Sequence, residues 1–378
     1  MAAGIGATAI SGAHAATAAP RVFSPPPLLH AHSHNDENAT NPLQDALASQ
    51  FDSVEADVIL QNDVVRVGHD DADIIPNQTL ESLYLDPLTQ RVRDNGGSVY
   101  DGWHVPFTLV IELKDETGTN TLPTNCKDEA GEEYFNGKLY QRVHDLLETE
   151  YSGMLSSYDN GVVTEGAVKI VFTGQTPRNC VQTNDPRHEF FDAGEGDLTT
   201  YSSAENPITT AQWSSVSSDL ADFVTTAHEH GRQVRIWDTP QDDQTWQEEL
   251  DDGVDFLNTD LNRYPNNLAD FLTPIDDQYG WVAATGAGSF ANVVDVDGLA
   301  IARGTLYDTL ADGVCAHVAV TLYRTDGSAD PVYRQYHCGA YTDLGWTVTG
   351  SENAIDYSYA EITVFRDAGP STSEDLYF

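Results

Sequence analysis

Lysine is nearly missing from this sequence: it stands only at Lys114, Lys127, Lys138 and Lys169. Lysine and arginine together number 18 against 60 aspartates and glutamates, for a formal net charge of -42. That imbalance excludes nucleic acid as a partner, because phosphate backbones select basic surfaces. It also disfavours adsorption to anionic membranes, leaving at most peripheral contact. The acidity describes a strongly hydrated surface suited to salt rather than a chemistry. Long apolar runs are missing as well, and nothing after Pro20 reaches the roughly 20 residues that cross a bilayer. Cysteine is confined to four positions, an even count that fits an oxidising compartment and a scatter that excludes a zinc knuckle. Pairing within domains is the simplest arrangement, Cys126 with Cys180 and Cys315 with Cys338. There is no internal repeat.

The opening stretch, Met1 to Pro20, is small and alanine-rich, with Ala-x-Ala-like steps near His14-Ala15-Ala16. It looks like the end of a secretory signal without its basic start, so residues 1–24 are set aside and secretion is expected. The last residues, Ser373 to Phe378, resemble a truncated protease-site scar, and 369–378 is expected to stand outside the fold.

Between these ends the chain changes character once. From Leu28 to about Leu272, short strand patterns alternate with helical ones. The strands expected are Leu28–His32, Ser53–Leu60, Phe107–Leu113, Val168–Thr173, Glu189–Asp192, Val234–Asp238 and Phe256–Thr259, with a weaker one near Thr200. Helical spacing falls at Pro42–Gln50, Tyr134–Glu150, Ser215–His230 and Gln244–Asp252. Such alternation predicts a (β/α)8 TIM-type barrel over 25–273. An open doubly wound sheet is the competitor, but no Gly-x-Gly-x-x-Gly follows the first strand. Pro274-Ile275-Asp276-Asp277 marks a boundary. Beyond it, period-two strands and Gly/Asp turns predict a small antiparallel β-sandwich over 276–368.

Polar groups punctuate the apolar stretches of the first part: His34-Asn35, Glu55-Ala56-Asp57, His69 and Glu112-Leu113-Lys114. Charges are rarely sited in buried strands unless they are paired or bind a metal. Residues two apart on a strand share a face, so Glu55 projects with Asp57, Glu112 with Lys114, and Arg235 with Trp237. All six lie toward the C-terminal ends of their strands, where barrel enzymes place their chemistry. Three carboxylates brought together repel one another without a cation. Oxygen donors select calcium or magnesium over zinc. Asn35 either adds an amide oxygen to that shell or simply forms a turn. His34 and His69 would flank a phosphorus, one taking a proton and the other giving one. Lys114 and Arg235 either hold phosphate oxygens or pair with the acidic cluster. Trp237 is either an apolar wall for the alcohol portion or barrel packing. His30 and His32, on the face of His34, are expected to support it.

Leu29-His30-Ala31-His32-Ser33-His34-Asn35-Asp36, Phe51-Asp52-Ser53-Val54-Glu55-Ala56-Asp57-Val58 and Val67-Gly68-His69-Asp70 together resemble the phospholipase C-like phosphodiesterase superfamily. That superfamily joins phosphoinositide-specific phospholipases C to glycerophosphodiester phosphodiesterases, all on barrel folds. Val110-Ile111-Glu112-Leu113-Lys114 is similar to the third-strand segment of the glycerophosphodiesterases. Gln233-Val234-Arg235-Ile236-Trp237-Asp238 and Leu257-Asn258-Thr259-Asp260 look like closing strands. Glycerophosphodiesterases usually carry arginine after the first histidine, whereas Asn35 follows the pattern of calcium-dependent phospholipases C. The resemblance implies His34 and His69 as the acid–base pair and Asn35, Glu55, Asp57 and Glu112 as ligands of Ca2+ or Mg2+. It also implies attack by a substrate hydroxyl through a cyclic phosphate where one is available. The basic cluster that reads inositol phosphates is missing.

The function expected is a secreted, monomeric, metal-dependent phosphodiesterase acting on a glycerophosphodiester or phospholipid headgroup. A sphingomyelinase D-like activity shares the histidines and Glu-x-Asp, but Asp70-Asp71-Ala72 stands where its cysteine-rich loop would follow. A non-catalytic module binding a cell-wall or lipid ligand is the alternative from another class.

Overall fold

The computed structural model describes residues 27–377, apart from 75–76, 102–104, 115–134, 178–185, 195, 197, 265–266, 279, 285–286, 297–298, 309–313, 339–341, 354–356 and 368–370. Leu28–Ser33 forms β1, Phe51–Gln61 β2, Val64–Val67 β3, Phe107–Leu113 β4, Ser157–Asp159 β5, Val162–Thr164 β6 and Val168–Gly174 β7. Glu189–Gly194 forms β8, Ile208–Gln212 β9, Gln233–Trp237 β10 and Leu257–Thr259 β11. Eight of these, β1, β2, β4, β7, β8, β9, β10 and β11, lie side by side in chain order and parallel. The sheet then returns on itself: β11 pairs with β1, and Arg235 of β10 bridges Phe256 beside β11. The product is a nearly closed, barrel-like parallel sheet.

Strand alternation sorts its side chains. Val54, Ala56 and Val58 of β2 and Leu109, Ile111 and Leu113 of β4 join a core that also takes residues of the surrounding helices, such as Leu88, Leu139 and Val143. Burying each such aliphatic side chain contributes roughly 1.5–3 kcal/mol. The intervening residues, Ser53, Glu55, Asp57 and Glu112, occupy the opposite face. The helices are α1 (Gln44–Ala48), α2 (Asp86–Asp94), α3 (Phe135–Leu146), α4 (Trp213–Val216), α5 (Leu220–Glu229), α6 (Asp243–Asp252) and α7 (Asn267–Gln278). Asp242 caps α6 by accepting from the Thr245 N–H at 3.0 Å, and Gly253, at φ 88°, ends it.

The alternation predicted from sequence is incomplete. Among the described residues no helix separates β7 from β8 or β8 from β9. The weak strand expected near Thr200 lies instead at β9, where Ile208-Thr209-Thr210 supplies the β-branched run. The β2–β3 hairpin was not expected; Asn62 and Asp63, at φ 53° and 59°, make the two-residue turn that such a hairpin requires.

The boundary at Pro274 also moves. Helix α7 continues through Pro274 to Gln278, held by Leu268 and Leu272 in the barrel core. Beyond it come β12 (Gly280–Ala284), β13 (Ala287–Val296), β14 (Leu299–Asp308), β15 (Ala316–Arg324), β16 (Tyr333–His337), β17 (Thr342–Asn353), β18 (Tyr357–Arg366) and β19 (Thr372–Tyr377). They form two four-stranded antiparallel sheets, β12-β13-β14-β17 and β16-β15-β18-β19, with one shared apolar core. Cys315 and Cys338 are bonded across the β15–β16 pair, where Ala316 faces His337. Cys126 and Cys180 lie outside the described residues. The expectation that 369–378 stands outside the fold is corrected by β19, which pairs with β18 from Val364↔Thr372 to Tyr359↔Tyr377 and buries Leu376.

Candidate active site

A cleft of about 510 Å³ opens at the C-terminal ends of the parallel strands. It is lined by His34, Asn35, Glu55, His69, Glu112, Lys114, Arg235 and Trp237, eight of the nine residues singled out in the sequence, together with Thr173, Gly174, Asp192, Thr210 and Asp238. The ninth, Asp57, is fully buried beneath them.

Register explains the convergence. Asp57 of β2 pairs with Glu112 of β4, and Glu112 with Thr173 of β7. One oxygen from each of Glu55, Asp57 and Glu112 lies within 4.8 Å of the others. Gly174, at φ +72°, makes room for this row, since a Cβ there would meet Glu112 Cγ at 2.5 Å. The β2–β3 hairpin brings the other histidine: Gly68 N donates to the Asp57 carbonyl at 3.0 Å, setting His69 at the mouth of the cleft.

Lys114 and Arg235 both pair with the acids. The Lys114 ammonium lies 3.1 Å from Asp57 Oδ2 and 2.9 Å from Glu112 Oε2. Arg235 Nη1 donates to Glu55 Oε1 at 2.9 Å and contacts His32 Nε2 at 3.3 Å, while His32 Nδ1 meets Ser53 Oγ at 2.7 Å. Burial, and then the Arg235 charge, hold His32 well below the usual histidine range, so it stays neutral and positions the guanidinium. Burial pushes the Glu55 carboxyl up, but Arg235 first, then His34 and Lys114, overturn that and hold it at about 2. Asp57 goes the other way, raised well above its ordinary value by burial and by Glu37, Glu112 and Glu55 against Lys114.

His34 opposes Glu55 at 3.4 Å through Nε2 and Asp260 Oδ1 at 2.9 Å through Nδ1. Burial works against its charge, yet Glu55 and Asp260 raise its pKa. Asn35 stands in the left-handed region at φ 47°, and its amide nitrogen lies 3.0 Å from His34 Nδ1. It is therefore a turn residue that also lines the cleft. His30 contacts the Asp255 carbonyl at 3.0 Å through Nδ1, from a φ of 70° that interrupts the β1–β2 register.

The carboxylates fit a hard cation. Asp57 Oδ1 is buried and meets no donor, while Glu55 Oε2 and Asp57 Oδ2 face the His34 ring at 3.4 Å and the Lys114 ammonium at 3.1 Å; carboxylate oxygens gathered in this way are what Ca2+ or Mg2+ coordinates. The Lys114 ammonium partly neutralises the same group.

Three residues escaped the sequence reading. Asp260 orients His34 from the end of the neighbouring strand β11, 226 residues on in the chain; it stood in the quoted Leu257-Asn258-Thr259-Asp260 segment without a task. Asp192 receives a hydrogen bond from Thr173 Oγ1 at 2.7 Å and lines the cleft, and burial raises its pKa. Glu37 accepts from Asp57 N at 3.3 Å, and burial pushes it up to about 8.

Comparisons with known proteins point to a phosphodiesterase domain. Residues 26–192, which hold every one of these residues before β9, match the family model of the AIM6-like phosphodiesterase domain. The chain is similar to an altered inheritance of mitochondria protein 6 homolog from Arthroderma benhamiae, 26% identical over 61% of this chain and 80% of that one. Altered inheritance of mitochondria protein 6 of Eremothecium gossypii is 28% identical over 62% of this chain and 68% of its own. That of Candida glabrata is 30% identical over 40% of each.

Proposed function

We propose that this chain is a divalent-metal-dependent phosphodiesterase of the phospholipase C-like kind, built on a (β/α)8-type barrel with an appended β-sandwich. The observation that carries the reading is one cleft holding two histidines above three converging carboxylates, of which Asp57 keeps a buried oxygen without a donor. The match to the AIM6-like phosphodiesterase domain supports it.

Glu55, Asp57 and Glu112, with Asn35 beside them, would hold Ca2+ or Mg2+. Bound there, such a cation supplies positive charge for the non-bridging phosphate oxygens. The protein's own groups do the rest. His34, kept charged by Glu55 and Asp260, donates a proton to the oxygen of the departing alcohol. His69 takes the proton of the attacking hydroxyl, from water or from the substrate. Lys114, a flexible side chain at the cleft wall, turns from the carboxylates to a phosphate oxygen. Trp237, 37% exposed, forms an apolar wall for the alcohol. Arg235 is spent on Glu55 and His32 and acts through them. With no second basic cluster among the described lining residues, the substrate proposed is a small or zwitterionic phosphodiester rather than a polyphosphorylated lipid. A secreted, monomeric enzyme belongs to the same proposal and is compatible with the Cys315–Cys338 bridge.

Phosphorus NMR of products from glycerophosphodiesters, phosphatidylinositol and its polyphosphorylated forms, with and without chelator, tests this. Cleavage lost on chelation and restored by Ca2+ or Mg2+ is expected. Undiminished turnover in chelator would assign the cation's work to Lys114, and failure to cleave any diester would sink the reading.

A further inference from the structure

A second group of metal-ligand side chains lies away from the cleft, on the outer side of the barrel. Strand β8 serves both places. Asp192 faces the cleft, whereas Glu189, three residues earlier, takes the other face with Phe191, against Tyr140 of α3. Glu189 is fully buried. Its Oε1 is crowded, accepting from the Tyr140 hydroxyl at 2.9 Å and meeting His144 Nδ1 at 3.0 Å. Its Oε2 is buried and meets no donor.

The helix supplies the facing ligands. Past His144 the α3 hydrogen-bond pattern gives way to a π turn over Leu147–Tyr151, which carries Glu148. Single π turns inside helices are frequently found at functional sites. His144, Glu148 and Glu189 each present an atom within 4.8 Å of the other two. The neighbour of Glu189, His188, is held on the same Glu148 oxygen by its ring Nδ1 at 2.8 Å and its backbone N–H at 2.9 Å.

We propose that His144, Glu148 and Glu189, with His188 as fourth donor, form a structural site for a divalent transition cation of the Zn2+ class that ties α3 to β8. The mixed set of two imidazoles and two carboxylates suits Zn2+, where the all-oxygen set in the cleft suits Ca2+ or Mg2+. Ligands about 2.0–2.1 Å from a tetrahedral zinc sit roughly 3.4 Å apart, so His144, Glu148 and Glu189 need only small adjustments, while His188, now on Glu148, must turn its ring toward the other two. The ion also gives the bare Glu189 oxygen a partner, which the hydrogen bonds alone leave without one. Four protein ligands leave no open position, so the role is structural rather than catalytic.

The test uses the full chain, stripped with chelator, then dialysed against ZnCl2 in buffer with excess calcium to occupy hard-oxygen sites. Retained zinc is measured by elemental analysis and ligand geometry by the visible spectrum of the Co2+ form. One zinc per chain and a tetrahedral Co2+ spectrum are expected. His144→Gln and Glu148→Gln, both at partly exposed positions, should weaken Zn2+ binding by about 10–100-fold or more. Far-UV circular dichroism should show both variants folded. Glu112→Gln and His69→Gln should bind zinc as the parent does. Absence of retained zinc would overturn the proposal. So would unchanged affinity in folded His144→Gln and Glu148→Gln, or a zinc that follows His69 or Glu112.

Discussion

Replacing Arg235 by methionine tests the electrostatics of the cleft without reference to any substrate. The guanidinium is 3% exposed and its partner Glu55 1%. Methionine keeps an unbranched apolar stem but leaves the carboxylate facing buried surroundings. Glu55 is held at about 2 from an ordinary 4.5, against its own burial, by Arg235 first and then by His34 and Lys114. A displacement of that size is worth about 3 kcal/mol at 1.36 kcal/mol per unit. Breaking a buried pair from one side costs about 3–5 kcal/mol, so the two routes agree. The sign follows from the depressed carboxyl, whose stabilisation is complete above 4.5 and lost as pH falls through 2. Urea unfolding in chelator should therefore show Arg235→Met about 3 kcal/mol less stable than the parent at pH 7, with the gap closing between pH 4.5 and 2. Adding Glu55→Gln should return most of the loss at pH 7. A gap below about 1 kcal/mol, or a double variant no more stable than the single, would refute the reasoning.

His34→Ala should lower kcat on a cleaved diester by about 10²–10⁴-fold. Asp260→Asn should shift the His34 limb of the pH–rate profile to lower pH, because Asp260 raises that pKa; an unmoved limb would remove Asp260 from the mechanism. Gly174→Ala should cost about 1–2 kcal/mol from its left-handed backbone and also weaken Ca2+ activation by displacing Glu112. Unchanged Ca2+ dependence would separate Glu112 from the metal. Glu249 is fully buried, with Oε1 bonded to Thr239 at 3.0 Å, and burial pushes it up to about 8. A raised acid costs the fold stability as pH climbs from 4.5 to 8, so Glu249→Gln should flatten that slope and stabilise the protein at pH 8 by up to about 4 kcal/mol. Parallel stability–pH curves for the two proteins would contradict it.

What could be read from the sequence was what one strand states by itself. Glu55 and Asp57 stand two apart in an otherwise apolar run, and Glu112 follows another, so their shared face and need for compensation were legible without a partner. The roles of Asp260 and Asp192 were not, because 60 acidic residues hide any single one and their meaning arises from contacts with His34 and Thr173. Gly174 reads as a strand end until register sets it beside Glu112. In the C-terminal sheets, alanine and glycine weaken the β signal of β12 and β13; Ala291 of β13 and Ala300 and Ala302 of β14 are fully buried where small side chains let the sheets pack. The polar run Thr372-Ser373-Glu374-Asp375 disguised β19, whose pairing comes from backbone rather than side chains.

Closure of the barrel through β1 has a consequence for how the protein is made. Strand β1 sits between β2 and β11, and His34 meets Asp260 across 226 residues of chain. During synthesis from the N-terminus, β1 can pair with β2 at once, but its other edge stays unpaired until Leu257–Thr259 has left the ribosome. His34 is thus without Asp260, and the cleft without its last wall, until 226 further residues have been made. Closing so long a loop late makes folding slow, since non-local pairing must overcome loop-closure entropy first. An open strand edge over that interval invites pairing with another chain. The nascent protein is therefore at its most aggregation-prone until β11 arrives, and the same docking event completes the cleft.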